Sequence, residues 1–166
     1  SYEEHDRVIE LTVQCARGRI PVIAGTGSNS TDEAIALTKH ARKAGAQASL
    51  QVSPYYNRPT QKGLYLHFKA IAEAVDIPII LYNIASRTGV NIEPETFARL
   101  AEIKNIIGVK EASGSLEQMA RIRNICPKDF LLISGDDALT LPVMAIGGVG
   151  VISVVAVLFT KDVSDM

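Results

Sequence analysis

The sequence predicts an α/β fold built around a parallel β-sheet, and three observations support this prediction. Six short apolar runs recur along the 166 residues, and they begin 19 to 29 residues apart. The runs are apolar at successive positions, as in strands that are covered on both faces. Amphipathic helical segments occupy the intervals between them. Regular alternation of strand and helix is typical of a parallel sheet with crossover helices.

The predicted strands follow one another at nearly even spacing. They are Ile20–Ala24, Ala48–Val52, Ile77–Tyr82, Ile106–Lys110, Phe130–Ser134 and Val149–Val155. A charged helical pattern precedes the first strand, and a last helix begins at Lys161. No linker or low-complexity segment interrupts the series, so we expect one domain over residues 1–166.

Helix-start signals precede several of the intervening segments. Ser30 with Glu33, and Ser115 with Gln118, have the spacing of a capping box. Thr60 is a further candidate cap, and Pro94 is suited to a first helical turn. Two architectures share this order of elements, the open doubly wound sheet and the (β/α)8 barrel. Both carry their chemistry at the carboxyl ends of the strands, so those positions identify the candidate site.

Composition excludes several classes of protein. Apolar residues make up 47% of the chain and charged residues 21%, which argues against intrinsic disorder. Lys and Arg number 17 against 18 Asp and Glu, so no basic excess points to nucleic acid or to a membrane surface. The apolar stretch from Val143 to Phe159 contains three glycines and suits a buried strand better than a membrane span. Cys15 and Cys126 form no CxxC motif, so we expect a reduced, cytoplasmic protein.

The segment Gly25–Ser30 follows the first predicted strand and is rich in glycine. Its spacing is not GxGxxG and no GK[ST] follows, which makes a nucleotide loop the weaker interpretation. A tight turn that ends in a helix cap is favoured. A third interpretation is that the N–H groups of the turn hold a small anion.

Tyrosine and arginine follow the second and third predicted strands. Tyr55 and Tyr56 either pack their loop with aromatic rings or carry protons through a phenol. Tyr82 lies at the end of the third strand, and Arg87 follows five residues later. A phenol can relay a proton and a guanidinium can hold a carboxylate, so the pair suits an acidic substrate. The alternative for Arg87 is a surface ion pair.

Lys110 is the most informative position, because it lies within an apolar strand. Burial disfavours the ammonium form and yields a neutral amine that can attack a carbonyl carbon. The alternative is a lysine whose long stem reaches water from the strand edge.

Acidic residues and histidines give no convincing metal site. Asp136 and Asp137 after the fifth strand lack further ligands at useful spacing, so a helix cap is favoured over a metal. His5, His40 and His67 lie in helical segments and form no metal or triad pattern. We therefore expect no metal.

Five segments at the predicted strand ends form a joint pattern. They are YYNRP (55–59), LYNIASRTG (81–89), GVKEAS (108–113), SGDDA (134–138) and GGVGVISV (147–154). Taken together in this order, they closely resemble the dihydrodipicolinate synthase family of pyruvate-dependent class I aldolases and lyases. The resemblance covers the whole chain without gaps.

The resemblance implies a (β/α)8 barrel that condenses pyruvate with aspartate semialdehyde in the first committed step of lysine biosynthesis. It implies that Lys110 forms the Schiff base with pyruvate and that no metal or organic cofactor takes part. It further implies the following roles: Tyr82 as proton relay, Tyr56 as a relay that crosses a dimer interface, Arg87 as ligand of the semialdehyde carboxylate, and Gly135 and Ile152 as backbone lining of the pyruvate pocket.

The family also implies regulation and assembly. His5, Asn29, Glu33 and Tyr55 match positions that contact the feedback inhibitor lysine in regulated members. Tyr2 replaces a histidine found in some of them, and Ala85 replaces the usual proline of the YNxPxRTG stretch. The family suggests a homotetramer arranged as a dimer of dimers.

The resemblance places the chain as an internal portion of the barrel, with strands three to eight. Strands one and two, the threonine-bearing turn after the second strand and the C-terminal helices have no counterpart in it. We therefore expect the chain alone to be inactive or weakly active. Two alternatives stay open: another pyruvate aldolase of the family, such as N-acetylneuraminate lyase or a keto-deoxy-sugar-acid aldolase, and a non-catalytic remnant or interaction fragment.

Overall fold

A six-stranded parallel sheet runs through the computed structural model, which describes residues 1–165. The strands are β1 (Ile23–Gly25), β2 (Ala48–Val52), β3 (Ile79–Asn83), β4 (Ile106–Glu111), β5 (Leu131–Ser134) and β6 (Gly150–Val151). They pair in chain order from β1 to β6, and every pair is parallel. The order therefore never reverses, whereas a doubly wound sheet reverses at its switch point. The architecture is α/β and is consistent with part of a (β/α)8 barrel.

Helices follow the strands as the sequence predicts. They are α1 (Tyr2–Ala16), α2 (Thr31–Ala44), α3 (Gln61–Ala74), α4 (Ala85–Thr88), α5 (Pro94–Leu100), α6 (Leu116–Ile125), α7 (Thr140–Ala145) and α8 (Thr160–Ser164), with short 3₁₀ turns at Asp137–Leu139 and Val155–Val157. The last helix was expected to continue to residue 166, which lies outside the described residues. Within residues 1–165, no helix combines the length and apolarity needed to cross a bilayer.

The predicted helix starts are confirmed in their caps. The Ser30, Thr60 and Ser115 side chains accept hydrogen bonds from backbone N–H groups in the first turns of α2, α3 and α6. In both expected capping boxes, the side chain three residues after the cap bonds elsewhere and not to the backbone N–H of the capping residue. The Glu33 carboxylate accepts a hydrogen bond from the Ser28 hydroxyl, and the Gln118 amide donates to Glu111.

Four strands are shorter than predicted, and β1 and β6 differ most from the prediction. β1 begins at Ile23, because Pro21 has no N–H for the ladder and Ile20 is exposed. β6 ends at Val151, because the next residues bend into the 3₁₀ turn. The backbone N–H groups of Val154 and Val155 bond to the Asp137 carboxylate instead of a neighbouring strand.

The two faces of the sheet have different partners. One face packs against the helices in the main core, which includes Ile79, Leu81, Val109 and Leu132. Side chains alternate along a strand, so Tyr82 and Lys110 lie on the opposite face. That face carries the candidate site.

The β3–β4 ladder contains a shift of register. Ile79 pairs with Ile106, but Ile80 pairs with Gly108, so Ile107 is an extra residue in β4. Beyond this bulge the pairing is regular, and Tyr82 stands opposite Lys110.

Candidate active site

Lys110 and Tyr82 form the centre of the site. They are cross-strand partners on β4 and β3, and the Lys110 ammonium lies 4.2 Å from the centre of the Tyr82 ring. Lys110 is only 8% exposed. Burial lowers the pKa of the Lys110 amine, and the nearby Asp137 carboxylate partly opposes this shift. The arrangement favours a neutral amine next to a phenol.

The Tyr82 hydroxyl is held in its protonated form. Burial raises the pKa of the Tyr82 phenol, while the charge of Arg87 acts in the opposite direction. A neutral phenol can donate one proton and accept another, which suits a relay.

Gly135 follows β5 and leaves room for the Lys110 stem. A Cβ at this position would lie 2.8 Å from the Ala112 Cβ and 3.1 Å from two carbons of the Lys110 side chain. The Gly135 N–H donates to the Glu111 carbonyl at 2.8 Å, which fixes the backbone there. A side chain at position 135 would therefore press on Ala112 and on the lysine stem.

Asp137 connects the ends of β5 and β6. Its carboxylate accepts hydrogen bonds from the Val154 N–H at 3.2 Å and the Val155 N–H at 3.4 Å. A hydrogen bond with the Ser153 side chain is the main reason that the pKa of Asp137 is lowered, and the Lys110 charge adds to it. Ile152 is held just before this loop, because its N–H donates to the Ser134 carbonyl at 2.9 Å.

Arg87 and Tyr56 line an open cavity of about 640 Å³, whose lining includes neither Lys110 nor Tyr82. Its other lining residues are Tyr55, Arg58, Ser86, Thr88 and Gly89. Tyr56 is 91% exposed and has a φ of 70°, which a tyrosine adopts rarely. The structure thus brings Tyr56 and Arg87 into one cavity, with the Tyr56 side chain extending into solvent.

Of the four predicted effector residues, Asn29 and Tyr55 are hydrogen-bonded to each other, whereas His5 and Glu33 have other partners. The Asn29 amide donates to the Tyr55 carbonyl at 3.3 Å, which joins the loops after β1 and β2. His5 Nε2 lies 2.9 Å from the Gly25 carbonyl. Glu33 hydrogen-bonds Tyr2 and raises the pKa of that phenol, and the two residues share a cavity of about 210 Å³. Binding of lysine at these positions stays a prediction.

The glycine-rich turn after β1 has the geometry of a tight connection. A Cβ at Gly27 would overlap the backbone nitrogen of Val52, and Ser30 caps the helix that follows. This geometry supports the favoured interpretation of a turn that ends in a cap. In the part of the chain that the structure describes, no group of three or more His, Cys, Asp or Glu residues could hold a metal ion.

Sequence reasoning missed a buried polar cluster behind the central pair. Asn83 and Glu111, which follow Tyr82 and Lys110 directly, are both fully buried on the helix side of the sheet. Gln118, interpreted only as a capping residue, bonds to Glu111. The sequence pattern that could have indicated this cluster is a polar residue at the end of each of two adjacent apolar strands.

Comparison with known proteins decides the family. The model of the dihydrodipicolinate synthetase family matches residues 1–166. The chain belongs to this family. The resemblance inferred from the five motifs is thereby confirmed. Two curated relatives in the family are each named 4-hydroxy-tetrahydrodipicolinate synthase: that of Syntrophus aciditrophicus is 63% identical over 164 residues, and that of Endomicrobium trichonymphae is 61% identical over 164 residues.

These relatives of the dihydrodipicolinate synthetase family are longer than the chain. The two alignments cover 99% and 98% of this chain but 56% of each relative. The chain therefore spans about 56% of the length of the curated relatives it matches.

Solved structures of the family have the same fold over this region. The dihydrodipicolinate synthase of Aquifex aeolicus is 51% identical with a TM-score of 0.98, and the match covers 99% of this chain and 57% of that one. The chloride-inhibited enzyme of Acinetobacter baumannii complexed with pyruvate is 50% identical with a TM-score of 0.97, over 99% and 57%. The enzyme of Cyanidioschyzon merolae with lysine bound is 48% identical with a TM-score of 0.96, over 99% and 56%.

Proposed function

We propose that the protein is the Lys110-bearing part of a lyase that condenses pyruvate with aspartate semialdehyde, the first committed step of lysine biosynthesis. The observation that carries the proposal is the buried amine of Lys110 beside the Tyr82 phenol, with its pKa lowered by burial. Membership of the family supports the reaction class, and the pyruvate complex of the A. baumannii relative supports the first substrate.

The chemistry begins with the neutral Lys110 amine. Its lone pair attacks the keto carbon of pyruvate, and the carbonyl electron pair moves to oxygen. Tyr82 passes protons so that the oxygen leaves as water and an imine to Lys110 forms. Loss of a methyl proton from this imine gives an enamine, whose carbon attacks the aldehyde carbon of the second substrate.

The other site residues bind and orient the substrates. The Arg87 guanidinium binds the carboxylate of aspartate semialdehyde, for which its planar fork is suited. Gly135 and Ile152 line the pyruvate pocket with backbone. Tyr56 completes the proton relay of a neighbouring subunit. No cofactor is needed, because the electron sink is the imine itself.

The assembly and its control follow the family. We infer strands three to eight of a barrel within one catalytic domain over residues 1–166, a homotetramer built as a dimer of dimers, and a cytoplasmic location. Lysine is the inferred feedback inhibitor, with His5, Asn29, Glu33 and Tyr55 as its contacts. The lysine complex of the C. merolae relative supports this ligand.

Borohydride trapping tests the proposal. The chain is incubated with pyruvate, reduced with sodium borohydride and digested for peptide mass spectrometry. We expect one adduct, on Lys110, and none in Lys110→Arg. Lys104→Arg, which replaces an exposed lysine, is the matched control and should be labelled like the unaltered chain. In a separate incubation without borohydride, whatever product the chain releases should be greater with aspartate semialdehyde than with sugar-derived aldehydes, which separates the synthase from other pyruvate aldolases.

The second candidate is a non-catalytic interaction fragment. Absence of the Lys110 adduct, under conditions that label a full-length relative, would contradict the lyase proposal and support this candidate. An adduct without product release would match our expectation that the chain alone is inactive or weakly active.

A further inference from the structure

A buried hydrogen-bond network lies on the helix side of the sheet, behind the central pair. Its members are Asn83 at the end of β3, Asn91 in the loop after α4, Glu111 at the end of β4 and Gln118 in α6. Asn83 and Glu111 are fully buried. The Asn83 amide donates to Glu111 Oε2 at 3.0 Å and to Asn91 Oδ1 at 2.8 Å. The Gln118 amide donates to Glu111 Oε2 at 3.2 Å.

The Glu111 carboxylate is the acceptor that orients this network. It accepts from two side-chain amides through Oε2 and from the Ser113 N–H at 2.6 Å through Oε1. All three partners are N–H donors, and the two carboxylate oxygens of Glu111 can accept from each of them. The Asn83 side-chain oxygen is taken by the Ile92 N–H at 3.0 Å, which leaves the Asn83 amide nitrogen facing Glu111.

The network joins the three segments that contain Tyr82, Lys110 and Arg87. Asn83 and Glu111 directly follow Tyr82 and Lys110, and they are themselves cross-strand partners. Asn91 and Ile92 lie near the end of the segment between β3 and α5, which includes α4 and Arg87. A shift of this segment or of either strand end would therefore lengthen a hydrogen bond to a fully buried group, which is costly.

We propose that Glu111 is a positioning residue, which through Asn83 and Gln118 holds Tyr82 against Lys110 and fixes the segment between β3 and α5 that carries Arg87. The catalytic part of this inference rests on the proposed function, and the structural part does not. The key variant is Glu111→Gln, because a glutamine keeps the volume but presents an N–H₂ group to one of the three donors.

Hydrogen exchange tests the structural part without any substrate. We expect amide exchange in segments 84–93 and 111–116 to become about tenfold faster in Glu111→Gln, as the loss of a buried hydrogen bond predicts. Exchange in α2 should stay unchanged. Glu117→Gln makes the same chemical change at an exposed position of α6 and is the matched control. Equal exchange in both variants would overturn the proposal.

Pyruvate trapping tests the catalytic part under conditions where every variant is folded. We expect the maximum trapping rate of Glu111→Gln to fall about tenfold. The pyruvate concentration for half-maximal trapping should change less than twofold. A purely structural role would leave the trapping rate of the folded protein unchanged, and that result would contradict positioning. If the unaltered chain forms no adduct, the proposed function fails while the exchange experiment still decides the role of Glu111 in the network.

A double variant that exchanges the acid and the amide between β3 and β4 tests whether the effect of Glu111→Gln can be reversed. Asn83→Asp combined with Glu111→Gln moves the carboxylate to β3 and restores one acid facing one amide, with the Gln amide now donating. We expect this double variant to recover part of the protection and trapping rate lost in Glu111→Gln. Asn83→Asp alone places two carboxylates side by side and should lower both quantities relative to the unaltered chain. If Glu111→Gln does not fold, Gln118→Leu is measured in its place, and unchanged exchange in segment 84–93 would overturn the proposal.

Discussion

The last two residues of β3 and of β4 point to opposite faces of the sheet. Tyr82 and Lys110 meet on one face, and Asn83 and Glu111 meet on the other. The reactive pair thus has a buried hydrogen-bonded pair directly behind it. At the residue scale, the positions that touch the Lys110 stem and its charge should be the most sensitive to substitution.

Gly135→Ala should displace Lys110. The added methyl group would lie 2.8 Å from Ala112 and 3.1 Å from the lysine stem, so we expect a loss of about 1–3 kcal/mol in unfolding free energy and a slower pyruvate trapping rate. Gly25→Ala is the control, because its Cβ meets nothing within 4 Å. Denaturant unfolding and trapping measure both effects, and equal behaviour of the two variants would count against the packing argument.

Asp137→Asn should shift the titration of Lys110 to lower pH. The Asp137 carboxylate opposes the effect of burial on the pKa of Lys110, so removing the charge lowers this pKa further. The asparagine oxygen can still accept from the loop N–H groups. The pH dependence of pyruvate trapping reports the change, and a shift toward higher pH would contradict the electrostatic coupling.

At the element scale, His67 joins α3 to the start of α2. Its Nδ1 lies 2.8 Å from the Thr31 hydroxyl, and burial lowers the pKa of the imidazole to about 4. The unfolded chain binds this proton near pH 6.5, so acidification favours unfolding. The α2–α3 contact is therefore built for a neutral imidazole.

The contribution of His67 to stability should fall as the pH drops from 6.5 to about 4 and should level off below that range, because this imidazole is then protonated in both states. The shift corresponds to roughly 3 kcal/mol of unfolding free energy. Urea unfolding across this range measures it, with His67→Gln as the comparison. A pH slope that is the same in both proteins would show that His67 does not contribute.

The type and order of the helices and strands were predictable from the sequence, whereas their exact limits and the pairing of the strands were not. The apolar runs and the caps at Ser30, Thr60 and Ser115 predict the order of strands and helices, because these signals are local. The position of Ile107 as an extra residue was not predictable, because the apolar run reads the same in either register.

The candidate site was also only partly predictable from the sequence. The sequence singled out Lys110, Tyr82 and Arg87, because each is unusual for its segment. It did not reveal the Asn83–Glu111 bond, since that contact depends on which residues face each other across β3 and β4. Gln118 fitted a local capping pattern, and its actual partner is seven positions away in the chain.

At the scale of the whole molecule, the sheet has two free edges among the described residues. β1 and β6 each pair with one neighbour only. Exposed apolar side chains lie beside them, including Ile20 and Ile23 near β1 and Val149 and Val154 near β6. When the 166-residue chain is studied by itself, such edges with apolar flanks favour its association with another chain.

Ile23→Lys should reduce self-association of the chain, because it places a charge at the β1 edge. Sedimentation velocity over a range of concentrations measures the effect. Leu66→Lys is the control, since Leu66 is also exposed but lies on α3, away from both edges. If both variants lower association equally, general solubility and not the edge is responsible.

The extra residue in β4 has a consequence for how this chain tolerates changes of length. Deleting Ile107 removes the bulge and leaves a continuous ladder in which Lys110 still faces Tyr82. Deleting Val109 instead turns Lys110 toward the helices and brings Glu111 next to the phenol. The two deletions remove one residue each, two positions apart, yet only the first should preserve pyruvate labelling. Ile107 is therefore a position of β4 that can be deleted while Lys110, and not Glu111, stays beside the Tyr82 phenol.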